Sequence, residues 1–367
     1  MGERGPTRRE IKPLTSLRGI AAMAVVAQHF SATAQSLTPT TIPSLVPHGY
    51  MAVDFFFVLS GFIMCYTYLE SFKSPSWRNY GDFLSKRIAR ILPLHTFALV
   101  AMLLLAQLSL TMVGHNVFFG FVPTAGDLLG NLAMLQGLGV GRNVNAPSWS
   151  VSCEFAVYFF FPLLVIAMFR AGRLGRLVTV SIALLLLAYV ASLHPRLGLG
   201  SDDPLHAMIR CAAEFILGMA AYRLFAAPRF ARLLASEWVL AALYASGLAL
   251  LALRLDLPLA LLFPLLVAAT ARNTGRIAVL LSRPLPYFLG VISYSIYLIH
   301  APFRPIELGL VQLLHPEPIG PVAALMLAAA GSISVIPFAW LTYTWVERPA
   351  RTAIRRLARP RVVGIGQ

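Results

Sequence analysis

The sequence predicts an all-α, polytopic membrane protein, and three observations carry that expectation. The 367 residues are 58% hydrophobic and 12% charged, with a mean hydropathy of +0.73; a soluble domain is typically about 45–50% apolar and about 25% charged. Apolar runs recur at the length of about 20 residues that a helix needs to cross the hydrocarbon core. The charge is one-sided: 24 of the 30 Lys and Arg fall in the terminal segments and alternate loops, four in the opposite loops and two inside helices. That bias places both termini in the cytoplasm. It also argues against nucleic acid as the partner for a formal charge of +15, because the basic residues flank spans instead of forming one patch.

The elements follow in order. Residues 1–13, with Pro6 and Pro13, read as a cytoplasmic tail. Arg8, Arg9 and Lys12, an apolar run and Ala32-Thr33-Ala34 imitate a secretory signal. Arg18 and His29 inside the run fit such a signal poorly, so the segment is expected to be retained. Helix 14–36 runs outward and helix 50–69 returns. Lys73, Arg78, Lys86, Arg87 and Arg90 hold segment 70–90 inside, and helix 91–113 goes out again. The run 127–140 is apolar but too short to cross, and reads as a half-helix or re-entrant segment on the outer side.

Helices 149–169, 177–193 and 207–225 follow, then a hairpin of 237–253 and 257–271, then 286–303 and 319–345. Inner loops hold Arg170, Arg173 and Arg176, then Arg223, Arg229 and Arg232, then Arg272, Arg276 and Arg283; Asp202 and Asp203 lie in an outer loop. The whole makes about ten spans in a single domain, 14–345, with a basic cytoplasmic tail at 346–367. Cys65, Cys153 and Cys211 sit in apolar segments without metal-ligand spacing, so packing is their expected role and no metal is expected.

The first span carries the chemistry. Arg18 and His29 are eleven positions apart, which on a helix is roughly 16 Å of rise and about 20° short of whole turns, so both project from one face. Ionisable groups at membrane depth are costly and face an internal, wetted cavity. Asp54, Glu154 and His300 fall at depths close to that of His29, so the expected site lies in the outer half. A carboxylate beside His29 would set its tautomer and raise its basicity for general-base work. Asp54 and Glu154 both qualify for that place, and spacing leaves the choice open. His300, Trp149 at the corner before Glu154, and Arg210 are the candidates for acceptor binding. Arg210 and Glu214, four apart, could instead pair on their own helix. Lys86, Arg87 and Arg90 form a basic face near the cytoplasmic surface, suited to phosphates or to lipid headgroups.

At these residues the chain resembles the acyltransferase-3 family of integral-membrane acyltransferases. The resemblance rests on LTSLRGIAAMAVVAQHF, GYMAVDFFFVLSGFIM, SKRIARILPLH, PSWSVSCEFAVYFFFP, ISYSIYLIHAP and the closing ERPAR, in family order. It implies transfer of an acyl group, often acetyl, from cytoplasmic acyl-CoA to a hydroxyl of a cell-surface or exported glycan or glycolipid, with Arg18 and His29 as the functional pair. Leu92 replaces a common tyrosine, and one acidic residue, Glu154, stands where many members carry two. The expected reaction has Arg18, Lys86, Arg87 and Arg90 holding the donor. His29 would act as base, oriented by Glu154 or Asp54, in a bacterial inner membrane. Direct transfer and an acyl-histidine route both stay open. The rival expectation is a secondary transporter or flippase of a glycan-lipid intermediate, which would also need Arg and His in a central cavity.

Overall fold

The computed structural model describes residues 9–46, 48–74, 76–194, 196–197 and 203–357, the last three by backbone alone. Arg8, Asp202, Arg359 and Arg361 therefore lie outside the described residues. No strand occurs among them, and sixteen α-helices follow one another. They are α1 (Lys12–Gln35), α2 (Met51–Tyr68), α3 (Trp77–Val113), α4 (Ala125–Leu132), α5 (Ser148–Val165), α6 (Gly172–Leu193), α7 (Pro204–Ala226) and α8 (Ala231–Ala235). The second half holds α9 (Glu237–Ala252), α10 (Asp256–Arg272), α11 (Arg276–Leu281), α12 (Pro284–Val291), α13 (Ser293–Ile299), α14 (Phe303–Leu314), α15 (Pro321–Thr342) and α16 (Arg348–Leu357).

Among the described residues, six helices are long and apolar enough to cross a membrane, or seven if the pair 228–235 and 237–252, bent by 71°, counts as one span. Several spend their apolar surface outward. Only 17% of the apolar window of α6 and 28% of that of α3 is buried inside the protein, with Leu104, Met112 and Leu185 among the exposed side chains. Continuous apolar surface of this kind suits lipid and would be a liability in water. The first helix, α1, is the centre of the packing: it touches α2, α10, α11, α12, α13, α14 and α15.

Two predicted elements change shape. The expected loop 70–90 is helical from Trp77 onward and continuous with the third span, because the Ser76 side chain caps it by accepting from the Asn79 N–H. The expected helix 286–303 is broken into α12 and α13, and ends at His300. Gly19 and Gly290 explain the first break. A Cβ on Gly19 would stand 2.4 Å from the Gly290 nitrogen, and one on Gly290 would stand 2.0 Å from the Thr15 carbonyl oxygen. The two backbones thus touch where α12 crosses α1. The Gly290 carbonyl at that break accepts from Arg18 Nη2 at 3.1 Å and from Ser293 Oγ at 2.9 Å. Pro302, which has no N–H to give, follows the second break. The short segment 127–140 holds all but the first two residues of α4, a helix of eight, and a 3₁₀ turn at Gln136–Leu138.

Candidate active site

One cavity, of about 120 Å³, lies among α1, α2, α3, α5 and α13. Its basic side is made by Arg18, Arg87 and Arg90. Arg18 is held by α13, its Nε donating to Ser293 Oγ at 3.0 Å. Arg87 is 7% exposed and donates to the Tyr68 hydroxyl at 2.7 Å, with its guanidinium 5.0 Å from that ring. Its buried Nε has no hydrogen-bond partner. A fixed guanidinium on the wall of a cavity is suited to charge-assisted binding of an anion. Glu347 is the carboxylate within electrostatic reach of both Arg18 and Arg90; it is buried and accepts from Ser295 Oγ at 3.0 Å. The fourth expected donor ligand, Lys86, stands elsewhere. It pairs with Asp82 at 2.5 Å on the exposed face of α3 and is absent from the lining. The carboxylate four positions earlier on the same helix captures its ammonium.

The cavity wall continues through Ser60, Glu154 and Tyr158 to Ser150 and Tyr297. Glu154 accepts from Ser60 Oγ at 2.5 Å and from the Tyr158 hydroxyl. It lines the cavity but does not reach His29. Asp54, the other carboxylate expected there, is buried completely and faces Arg210, 3.6 Å away, and Glu214. This corrects the expectation that a carboxylate orients His29, and the cause is azimuth. The depths agree, but α2 and α7 cross so closely that Cβ atoms on Gly61 and Gly218 would each stand 1.9 Å from a carbonyl oxygen of the other helix. That contact turns Asp54 toward α7.

Arg210, the expected acceptor ligand, is placed away from the cavity. It is 1% exposed, lies over the Trp149 ring at 5.6 Å, and belongs to the Asp54–Glu214 cluster between helices, outside the cavity lining. Trp149 packs edge-on against Phe57 and is likewise outside the lining.

His29 meets His300 instead. Its Nδ1 is 2.8 Å from His300 Nε2, with the rings nearly parallel at 16°. His300 Nδ1 lies 2.7 Å from the Tyr297 carbonyl oxygen. A carbonyl only accepts, so that nitrogen carries the proton and a neutral His300 has its lone pair on Nε2. His29 must then donate from Nδ1, which leaves the lone pair on His29 Nε2. The arrangement therefore makes one imidazole a base at a single, defined nitrogen. The pair sits just beyond the cavity: Tyr297 lines it, and its ring is 6.1 Å from that of His300. The Tyr297 hydroxyl is bonded to Ser150 Oγ at 2.7 Å.

Sequence reasoning missed Ser60, Tyr158, Ser293, Tyr297 and Glu347. Ordinary hydroxyls in apolar helices carry no signal by type; the hint for Glu347 was its place in the closing ERPAR block. Arg304, whose Nε donates to Thr33 Oγ1 at 2.9 Å, was also missed; it follows His300 by one turn.

Comparison with known proteins places the chain at the level of family. Residues 12–344 match the family Acyl_transf_3, described as an acyltransferase domain. A curated relative, Acyltransferase MdmB of Streptomyces mycarofaciens, is 35% identical over 156 residues, which cover 41% of this chain and 38% of the relative. The chain thus spans under half the length of that relative. No solved structure matches. With the family model matching the chain almost from end to end, this chain is a member of the Acyl_transf_3 family of acyltransferase domains.

Proposed function

We propose that the chain moves an acyl group, acetyl in the simplest case, from cytoplasmic acyl-CoA to a hydroxyl of a cell-surface or exported glycan or glycolipid. The observation that carries this reading is the three arginines, Arg18, Arg87 and Arg90, on one cavity whose far wall, Tyr297, holds the His29–His300 pair. Phosphates of the donor bind at the arginines. The acyl arm extends past Glu154 toward Tyr297 and brings the thioester carbonyl up to His29. His29 Nε2 takes the proton of the acceptor hydroxyl as its oxygen attacks the thioester carbon. The C–O bond forms, the C–S bond breaks, and the CoA thiolate leaves with the proton carried by the imidazolium. His300 is a positioning residue, keeping the lone pair of His29 on Nε2 before attack. The cell setting proposed is a bacterial inner membrane, crossed about ten times with both termini inside; the arginine-rich loops support that orientation.

The test uses purified protein in liposomes, labelled acetyl-CoA and a glycan extract. Label should reach the glycan with wild type and fall to background with His29→Ala. Equal transfer by both proteins would remove the catalytic assignment. Movement of glycan-lipid across the bilayer without any consumption of acetyl-CoA would favour a flippase instead.

A further inference from the structure

A second cluster stands away from this cavity, at the junction of α6 and α7. His194 closes α6, and Asp203 caps α7 by accepting from the His206 N–H at 3.3 Å. Asp203 Oδ2 is 2.6 Å from His206 Nδ1 and 3.2 Å from His194 Nε2. The two imidazole rings are 5.1 Å apart, and one ligand atom from each residue lies within 4.8 Å of the others. The side chains are between 19% and 32% exposed, so a hydrated ion reaches them without opening the core. None of the three lines the cavity of the candidate active site.

We infer that His194 Nε2, His206 Nδ1 and Asp203 Oδ2 form a site for one divalent transition-metal ion of the zinc type, with water completing the shell. Two imidazoles and one carboxylate are a donor set for zinc and its neighbours; magnesium and calcium prefer oxygen ligands throughout. Metal–ligand bonds of about 2.0–2.1 Å in tetrahedral array put ligand atoms about 3.3 Å apart. The His194–Asp203 separation is already close to that. The His206–Asp203 hydrogen bond would open by about 0.7 Å as the metal takes the place of its proton. One ligand comes from α6 and two from the start of α7, so the ion would clasp the two helices at the outer side. The inference does not depend on which acyl group or acceptor the enzyme uses.

The experiment is titration of the full chain in detergent, stripped with a chelator, with Zn²⁺ above the imidazole pKa of about 6.5. Bound metal is counted by equilibrium dialysis. One saturable equivalent is expected, weakened at least about tenfold by His194→Ala, His206→Gln and Asp203→Asn, and unchanged in His315→Ala. Asp203→Asn keeps the helix cap, since Asn serves there as well as Asp, so loss of binding in that variant does not reduce to loss of fold. Zn²⁺ should also raise the melting temperature of wild type and leave that of His206→Gln where it was. No saturable equivalent, or one that all three variants retain, overturns the inference.

Discussion

Because the Tyr297 carbonyl accepts and never donates, the proton position on His29 is set through His300, its neighbour. His300→Ala should therefore lower kcat by about 10–100-fold while the KM for the donor stays near wild type. A protein that had merely lost packing would move both. The arginines should behave in the opposite sense. Charge-assisted hydrogen bonds contribute about 1.5–3 kcal/mol, so Arg18→Ala, Arg87→Ala and Arg90→Ala should each raise the KM for acyl-CoA about 10–100-fold with a smaller change in kcat. Lys86→Ala should leave it unchanged, since that ammonium is already committed to Asp82; a donor defect in Lys86→Ala and none in Arg87→Ala would reverse the assignment of the basic face. Residue types were legible at this scale and partners were not. Arg87 and Lys86 are neighbours in the sequence, yet adjacent helical positions point about 100° apart, and one turns to the cavity and the other to solvent.

The elements meet at close backbone crossings, and these are open to test. Gly61→Ala and Gly218→Ala place a methyl group against backbone carbonyls that cannot rotate away. Overpacking of this kind costs about 1–3 kcal/mol, measurable as a lower melting temperature in detergent. Gly81→Ala, in α3 with nothing within 4 Å, should be neutral or slightly stabilising. The short helix α4 begins with a capping box in which Thr124 and Asp127 satisfy each other's donors. Arg142 reaches the same carboxylate at 2.8 Å. That guanidinium, with the backbone N–H groups of Arg142 and Thr124, holds Asp127 well below the usual carboxylate range. The contribution of a depressed carboxylate is complete above its unfolded pKa of about 3.9 and is lost as pH falls through the folded value. The stability gap between wild type and Arg142→Ala should thus be constant near neutral pH and shrink below about pH 4. A gap that widened with acid would mean that Asp127 is not the partner that matters. The helix ends of α1 and α2 were readable within two residues. The break between α12 and α13 was not, because it arises from a crossing with α1 that lies some 270 positions away in the chain.

For the molecule as a whole, orientation in the bilayer is the first matter to measure. The three native cysteines are buried, so a single cysteine at Thr41 should react with an impermeant maleimide from outside, and one at Ser74 only after the membrane is opened. The reverse pattern would turn the donor site away from the cytosol. Taken alone, the sequence determined what depends on position along one dimension: membrane class from composition, and the roughly 16 Å of rise between Arg18 and His29 on one helix face. The six motif blocks determined the family in the same way. The tertiary structure decided what depends on rotation about a helix axis. Asp54, Glu154 and His300 lie at matching depths, but a side chain's depth follows from its number, whereas its azimuth follows from which neighbouring backbone can come close. Gly61 against Gly218 turns Asp54 toward Arg210, Ser60 and Tyr158 retain Glu154, and His300 alone of the three arrives at His29.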